Sequence, residues 1–300
     1  MPALRRIGAW LYGRPYLLLT LTALFWGGNV VLGRSVAGHV PPVGLAFVRW
    51  SGAFAILVGF AWPQLRRDWP MARRHLAVLG LLSLTGVTLY NTLAYYGLQY
   101  TQAINGLLLQ SSSPVLIAVC TFLLYRERLS LGQALGILLS GLGVVLIVTG
   151  GELTRLAALR INDGDLWILL GLGVYALYSA LLRRRPPIHG LSFLTLTFGF
   201  GALLLTPAFL WEVSTGFRLQ PDLATALACL YVAIFPSILA YFCFNRGVEL
   251  VGANRAGPFF HLIPLFGAAL AFVFLGEAPH PYHAAAFLLI VSGVVVATRR

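Results

Sequence analysis

Trp26 and Asn29 stand three residues apart in the apolar run LFWGGNVV, a spacing that puts both side chains on one face of a helix. Other apolar runs carry interruptions of the same kind: Tyr90, Asn91 and Tyr95, then Gln110 and Ser111, then Tyr175 and Tyr178, then Tyr241, then His261. Rings of this type stack on planar apolar ligands, and amides and hydroxyls hold polar ones. The same groups are poorly equipped for covalent chemistry. There is no Ser/His/Asp set, HExxH pair or paired-carboxylate arrangement, nothing resembles a P-loop, and Cys120, Cys229 and Cys243 lack ligand-like spacing. No enzyme, metal or cofactor is therefore expected.

The same residues have a plainer reading. Asn29, Asn91 and Gln110 would tie helices together through hydrogen bonds of roughly 0.6–2 kcal/mol each, with the rings filling space. As a set they point to a binding cavity. Arg49, in FVRW, either snorkels to the outer surface or neutralises a substrate carboxylate. Ser111, Ser112 and Ser113 precede Pro114 and either re-satisfy carbonyls freed at a kink or, at Ser111, touch substrate. His261 reads as a neutral hydrogen-bonding partner or as a proton carrier. Gly27, Gly28, Pro114 and Pro264 are the candidate hinges.

The elements that position these groups must be membrane helices. Hydrophobic residues make up 59% of the 300 and charged residues 10%, against about 25% charged in an ordinary soluble domain. Apolar runs close to the length of a spanning helix recur along the chain, centred near Leu24, Phe54, Leu84, Ser113, Ser140, Val174, Gly201, Ala233, Ile263 and Leu289. The fold class expected is all-α, with ten transmembrane helices and no soluble domain. Arg5, Arg6 and the run after Tyr16 imitate a signal peptide, but the run is long enough to span.

A formal charge of +12 suggests nucleic acid until the basic residues are placed, since all 21 are Arg. With the N-terminus inside, sixteen fall in segments on its side, four opposite, and Arg49 within a span. That asymmetry is an orientation signal, so both termini should be cytoplasmic and a nucleic-acid partner is not expected. Trp10, Tyr12, Trp62, Trp69 and Trp211 lie at span ends, as interfacial aromatics do, and Trp167 suits that belt or a cavity mouth.

At an offset of 150, Gly97 aligns with Gly247, Ala103 with Ala253, Pro114 with Pro264 and Glu127 with Glu277. Asn91 then falls on Tyr241 and Ser111 on His261, while at 149 Trp26 and Asn29 fall on Tyr175 and Tyr178. The chain reads as one membrane domain over 1–300, with pseudo-repeats over about 1–150 and about 160–300. Five spans per half invert the second copy relative to the first. Inverted repeats are a common basis of alternating access around a midplane site, which predicts a secondary transporter. None of the nine Asp and Glu residues falls near the centre of a run, which disfavours proton-for-cation drug exchange.

The WGGN stretch, the Pro41-Pro42 step to Arg49, the segment from Pro114 to Glu127 continuing as RERLS, and its counterpart from Pro264 to FLGE resemble the drug/metabolite transporter superfamily, in particular its ten-helix EamA-type exporters. The resemblance covers almost the whole chain. It implies a multi-pass protein of the cell inner membrane that exports amino acids and related metabolites. The ring-rich set of Trp26, Tyr90, Tyr95, Tyr175, Tyr178 and Tyr241 is similar to the YddG-type branch, which exports aromatic amino acids. Other metabolites, drugs and nucleotide sugars remain alternatives on the same fold. Membrane lipid and a small-molecule substrate are the expected partners, and a monomer suffices.

Overall fold

The computed structural model describes residues 10–35, 41–97, 100–101, 103–157, 162–216, 222–275 and 280–299. Among these the chain is helical and contains no strand. The first half comprises α1 (Pro15–Ser35), α2 (Pro42–Ala72), α3 (Leu76–Ser83), α4 (Tyr90–Gly97), α5 (Ala103–Gln110), α6 (Ser113–Tyr125) and α7 (Leu131–Thr149). A one-turn helix α8 (Thr154–Ala157) follows, then α9 (Asp163–Leu181), α10 (Gly190–Ser214), α11 (Leu223–Ala233), α12 (Ala240–Val251), α13 (Ala253–Ala256), α14 (Leu262–Leu275) and α15 (Pro281–Thr298).

Local chemistry sets many of these boundaries. The Ser130 and Gln133 side chains exchange hydrogen bonds with the backbone at the start of α7, and Gly150 ends that helix at φ 64°. Asn162 and Asp165 form the same reciprocal cap on α9. Two π-helical turns, Leu84–Leu89 between α3 and α4 and Ile234–Leu239 between α11 and α12, interrupt otherwise continuous helices and lie 150 residues apart. Pro236 explains the second, because it has no N–H to donate and its ring crowds the preceding turn. Gly86 holds the equivalent place in the first.

Eight helical stretches among the described residues are long and apolar enough to cross a membrane. One of them, Val43–Ala94, runs 52 residues, more than twice the roughly 20 that a crossing needs, and the 3₁₀ turn Arg73–His75 divides it. Large apolar side chains such as Phe60, Leu203, Val273 and Phe274 point outward and exposed, as lipid-facing residues do. This is an all-α membrane fold.

Two helix pairs dominate the packing. In α7 against α15, Gly136, Ser140 and Gly143 meet Ala286, Ile290, Gly293 and Ala297 at backbone distance, so that a Cβ at Gly136 would sit 2.5 Å from the Gly293 carbonyl. Small residues permit that approach. In α2 against α10, each helix carries a carboxylate near its C-terminal end that caps the start of the other. Glu212 accepts from the Val43 and Gly44 amides at 3.0 and 2.6 Å, and Asp68 accepts from His189 N at 3.1 Å. The two helices are therefore antiparallel.

Candidate functional site

The π turns release main-chain carbonyls from the regular ladder, and the chemistry-bearing side chains converge on them. At the second turn, Trp26 Nε1 donates to Pro236 O at 3.0 Å. Arg49 donates from Nη2 to the same oxygen at 2.9 Å and from Nε to Ser237 Oγ at 2.6 Å. Ser237 in turn donates to Val232 O at 2.6 Å. At the first turn, the Tyr241 hydroxyl donates to Gly86 O at 2.6 Å and Asn91 Nδ2 to Val87 O at 3.0 Å. Gly86 and Pro236, the acceptors on the two sides, are 150 residues apart.

Between the turns lies a closed cluster of rings. Trp26 approaches Phe260 and Phe244 with centroids 5.4 and 5.5 Å apart, and Tyr175 and Tyr241 at 5.9 Å each. Tyr175 packs on Tyr90 at 4.6 Å and on Tyr178 at 5.3 Å. Trp50 joins through Phe198 at 4.9 Å and Tyr241 at 5.2 Å, and the Arg49 guanidinium lies 4.6 Å from the Trp50 ring centroid. Tilted and edge-on pairs like these are worth about 0.5–1.5 kcal/mol each beyond their burial. The space left beside them, lined by Leu19, Thr22, Trp26, Phe244 and Phe260 among others, is about 10 Å³, at most the room one water needs. That cleft has no room for an amino acid.

Most of the ring residues singled out in the sequence therefore meet: Trp26, Tyr90, Tyr175, Tyr178 and Tyr241 share one assembly. The polar ones divide. Asn91 is buried and donates to Val87 O of its own helical stretch at the π turn, a local bond rather than the tie between helices of its plainer reading. Asn29 is half-buried one turn beyond Trp26, and its repeat equivalent Tyr178 donates instead to Asn245 Oδ1 at 2.8 Å. Gln110 is half-buried at the end of α5, beside the break that contains Ser111. The side chain of Tyr95 lies outside the described residues.

His261, 1% exposed, holds Ser111 O at 2.9 Å through Nε2 and Ser140 Oγ at 2.6 Å through Nδ1. A carbonyl can only accept, so Nε2 donates to Ser111 O. Ser111 and His261, equivalent at the offset of 150, thus bond to each other as a structural joint.

Arg49 does not snorkel. Only 3% of it is exposed, because Pro236 O and Ser237 Oγ supply acceptors inside the bundle. Gly27 and Gly28 lie within the uninterrupted α1, Gly27 against the backbone at Ile263 and Gly267 and Gly28 against the Tyr231 hydroxyl, so close packing accounts for them without a bend. Pro114 opens α6 after the break at Ser111 and Ser112, and Pro264 lies in the first turn of α14 after the 3₁₀ turn Gly257–His261.

Sequence reasoning missed Trp50, Phe198, Phe244, Phe260 and Asn245. Trp50 was signalled by its place beside Arg49, and Asn245 by the Asn245-Arg246 pair ending an apolar run. The three phenylalanines carry no such mark. Asn245 also borders a second cleft with Tyr12, Arg185, Phe193, Phe242 and Arg246, on the arginine-rich face. There Glu249 bridges Arg185 and Arg246 at 2.7 and 2.8 Å.

A polytopic helical membrane protein with paired π turns around an aromatic centre fits the transporters in class. The model of the EamA-like transporter family matches residues 13–149 and again 162–299, and the chain belongs to that family, within the drug/metabolite transporter superfamily. It is 28% identical to the uncharacterized transporter YyaM of Bacillus subtilis, over 94% of this chain and 93% of that one. An uncharacterized transporter of Archaeoglobus fulgidus is also 28% identical, over 96% and 98%. The probable terminal-alkyne amino-acid exporter of Streptantibioticus cattleyicolor is 26% identical, over 94% and 92%. A crystal structure 23% identical in sequence aligns over 94% of this chain and 95% of that one with a TM-score of 0.74, and so shares the fold.

Proposed function

We propose that this protein exports amino acids, aromatic ones included, across the inner membrane by alternating access, with the ring cluster as the central closure that opens towards one face at a time. The observation that carries this reading is that Trp26, Tyr175 and Tyr241, from three helices and both halves, close the middle of the bundle while two of them hang from π-turn carbonyls. Helical breaks are where a membrane helix bends at low cost, and a closure hung from them moves with them. The relative from Streptantibioticus cattleyicolor, named as an amino-acid exporter, supports the substrate class.

On this reading ten helices form two inverted five-helix repeats, both termini are cytoplasmic and a monomer suffices. Trp26, Tyr90, Tyr175, Tyr178 and Tyr241 contact the substrate, and Asn29, Asn91, Tyr95, Gln110, Ser111 and His261 line or brace the path. Gly27, Gly28, Pro114 and Pro264 flank the moving segments. Purified protein in liposomes should move labelled tryptophan or phenylalanine, and unlabelled amino acids should compete better than nucleotide sugars or quaternary ammonium compounds. Competition by either of the latter alone would move the substrate class elsewhere on the same fold. Trp26→Ala should slow transport while the protein remains folded.

A further inference from the structure

We propose that Arg49 and Trp50 form a carboxylate subsite within the ring cluster, so that the ligand is an aromatic acid or amino acid anchored by its carboxylate. The inference rests on the amino-acid reading above and specifies which part of such a molecule is recognised, and where.

Three observations carry it. The first is the placement of the cation. Arg49 is buried in α2 against the second π turn, and intramembrane ionisable groups mark ligand pathways more often than structural positions. The second is an unsatisfied donor beside it. Trp50 is fully buried, yet its indole Nε1 has no hydrogen-bond partner in the structure, and the Arg49 guanidinium lies 4.6 Å from its ring centroid. A buried donor left unpaired is costly, and an acceptor brought by a ligand removes that cost. The third is what surrounds the pair. Trp50 packs on Phe198 and Tyr241, and Trp26 shares the Pro236 carbonyl with Arg49, so aromatic faces begin next to the two donors.

A guanidinium fork and an indole N–H together suit a carboxylate, whose two oxygens accept from separate donors. The subsite also links binding to the closure. A carboxylate that takes the guanidinium competes with Pro236 O and Ser237 Oγ, two acceptors that pin Arg49 to the turn Ile234–Leu239. Occupancy then frees the turn that also carries Trp26.

The test compares three probes on the full-length protein in detergent or liposomes: tryptophan, indole-3-propionate, which keeps the carboxylate without the ammonium, and tryptamine, which keeps the ammonium without the carboxylate. The wild type should bind the first two and bind tryptamine at least about tenfold more weakly. Trp50→Phe, which keeps an aromatic ring but removes the N–H with the five-membered ring that bears it, should weaken both carboxylates several-fold and leave tryptamine unchanged. Arg49→Gln should abolish the preference, with Arg49→Lys retaining part of it. If Arg49→Gln does not yield folded protein by size-exclusion chromatography, Trp50→Phe decides.

Equal binding of tryptamine and the two acids by the wild type overturns the subsite, as does unchanged selectivity in Trp50→Phe and Arg49→Gln. The transport reading fails separately. A protein that binds indole-3-propionate through Arg49 but moves no amino acid in liposomes keeps the subsite and loses the exporter.

Discussion

Tyr241 and Gly86 show how one contact can serve both packing and movement. The buried Tyr241 hydroxyl bonds the Gly86 carbonyl, and a Cβ on Gly86 would overlap the ring of Tyr178. Tyr241→Phe keeps the ring and removes the donor, so it should lower stability by about 0.5–1.5 kcal/mol, read as a shift in the detergent-solubilised melting curve. Gly86→Ala acts by a different route. The added methyl must displace Tyr178, and overpacking of this kind costs about 1–3 kcal/mol. A Gly86→Ala variant as stable as the wild type would mean that the Tyr178 ring is free to move. At this scale the sequence is a fair guide to rings and a poor one to amides. Trp26 and Tyr175 stand out because aromatics recur at matching positions of the repeat, Tyr241 because it falls opposite the polar Asn91, and the three do meet. Asn29 and Asn91 stand out equally, yet Asn91 satisfies its own helix, because a polar side chain near a broken turn takes the nearest freed carbonyl. Phe244 and Phe260 are invisible within apolar runs, since helical faces cannot be assigned where every residue is apolar.

Helix pairs show what local reading does not reach. Proline and glycine punctuation announces breaks near Pro114 and Pro264, but the π turn at Leu84–Leu89 contains no proline and only its repeat partner at Pro236 explains its place. The crossed caps of α2 and α10 were likewise hidden, because each joins residues more than a hundred positions apart. Their chemistry is ordinary all the same. A carboxylate at a helix start accepts from free amides and offsets the positive end of the helix dipole. Glu212, buried and bonded to two amides, should matter more than half-buried Asp68, which takes one. Glu212→Ala is expected to cost about 1–2 kcal/mol, the upper part of the range for lost helix caps, and Asp68→Ala about 0.5 kcal/mol. Equal losses in the two thermal-denaturation curves would mean that burial does not decide the strength of these caps. The caps lie at opposite ends of one antiparallel pair, so α2 and α10 are held as a unit, and the π turns remain the softer places for movement.

Over the whole molecule, the sequence reading of an all-helical membrane protein of this family agrees with the helices and with the family match. Composition decides that class because hydrocarbon admits helices with few charges, whereas the state of the closure depends on contacts between helices far apart in sequence. That state is what a labelling experiment reads. The ring cluster separates Asn29, beyond Trp26 along α1, from Phe242, which packs on Tyr12 at the arginine-rich face with centroids 5.8 Å apart. With Cys120, Cys229 and Cys243 replaced, Asn29→Cys and Phe242→Cys place one thiol on each side of the closure. On the proposed orientation and closure, a membrane-impermeant thiol reagent should label position 242 from the arginine-rich side only and position 29 from the opposite side only. Adding tryptophan should raise labelling at one position and lower it at the other, because a single closure that opens to one face must shut to the other. Labelling that rose at both positions together would describe a continuous pore, and labelling indifferent to substrate would detach the aromatic cluster from transport. The reciprocal outcome ties the rings, the π turns that carry them and the two halves of the chain to one motion.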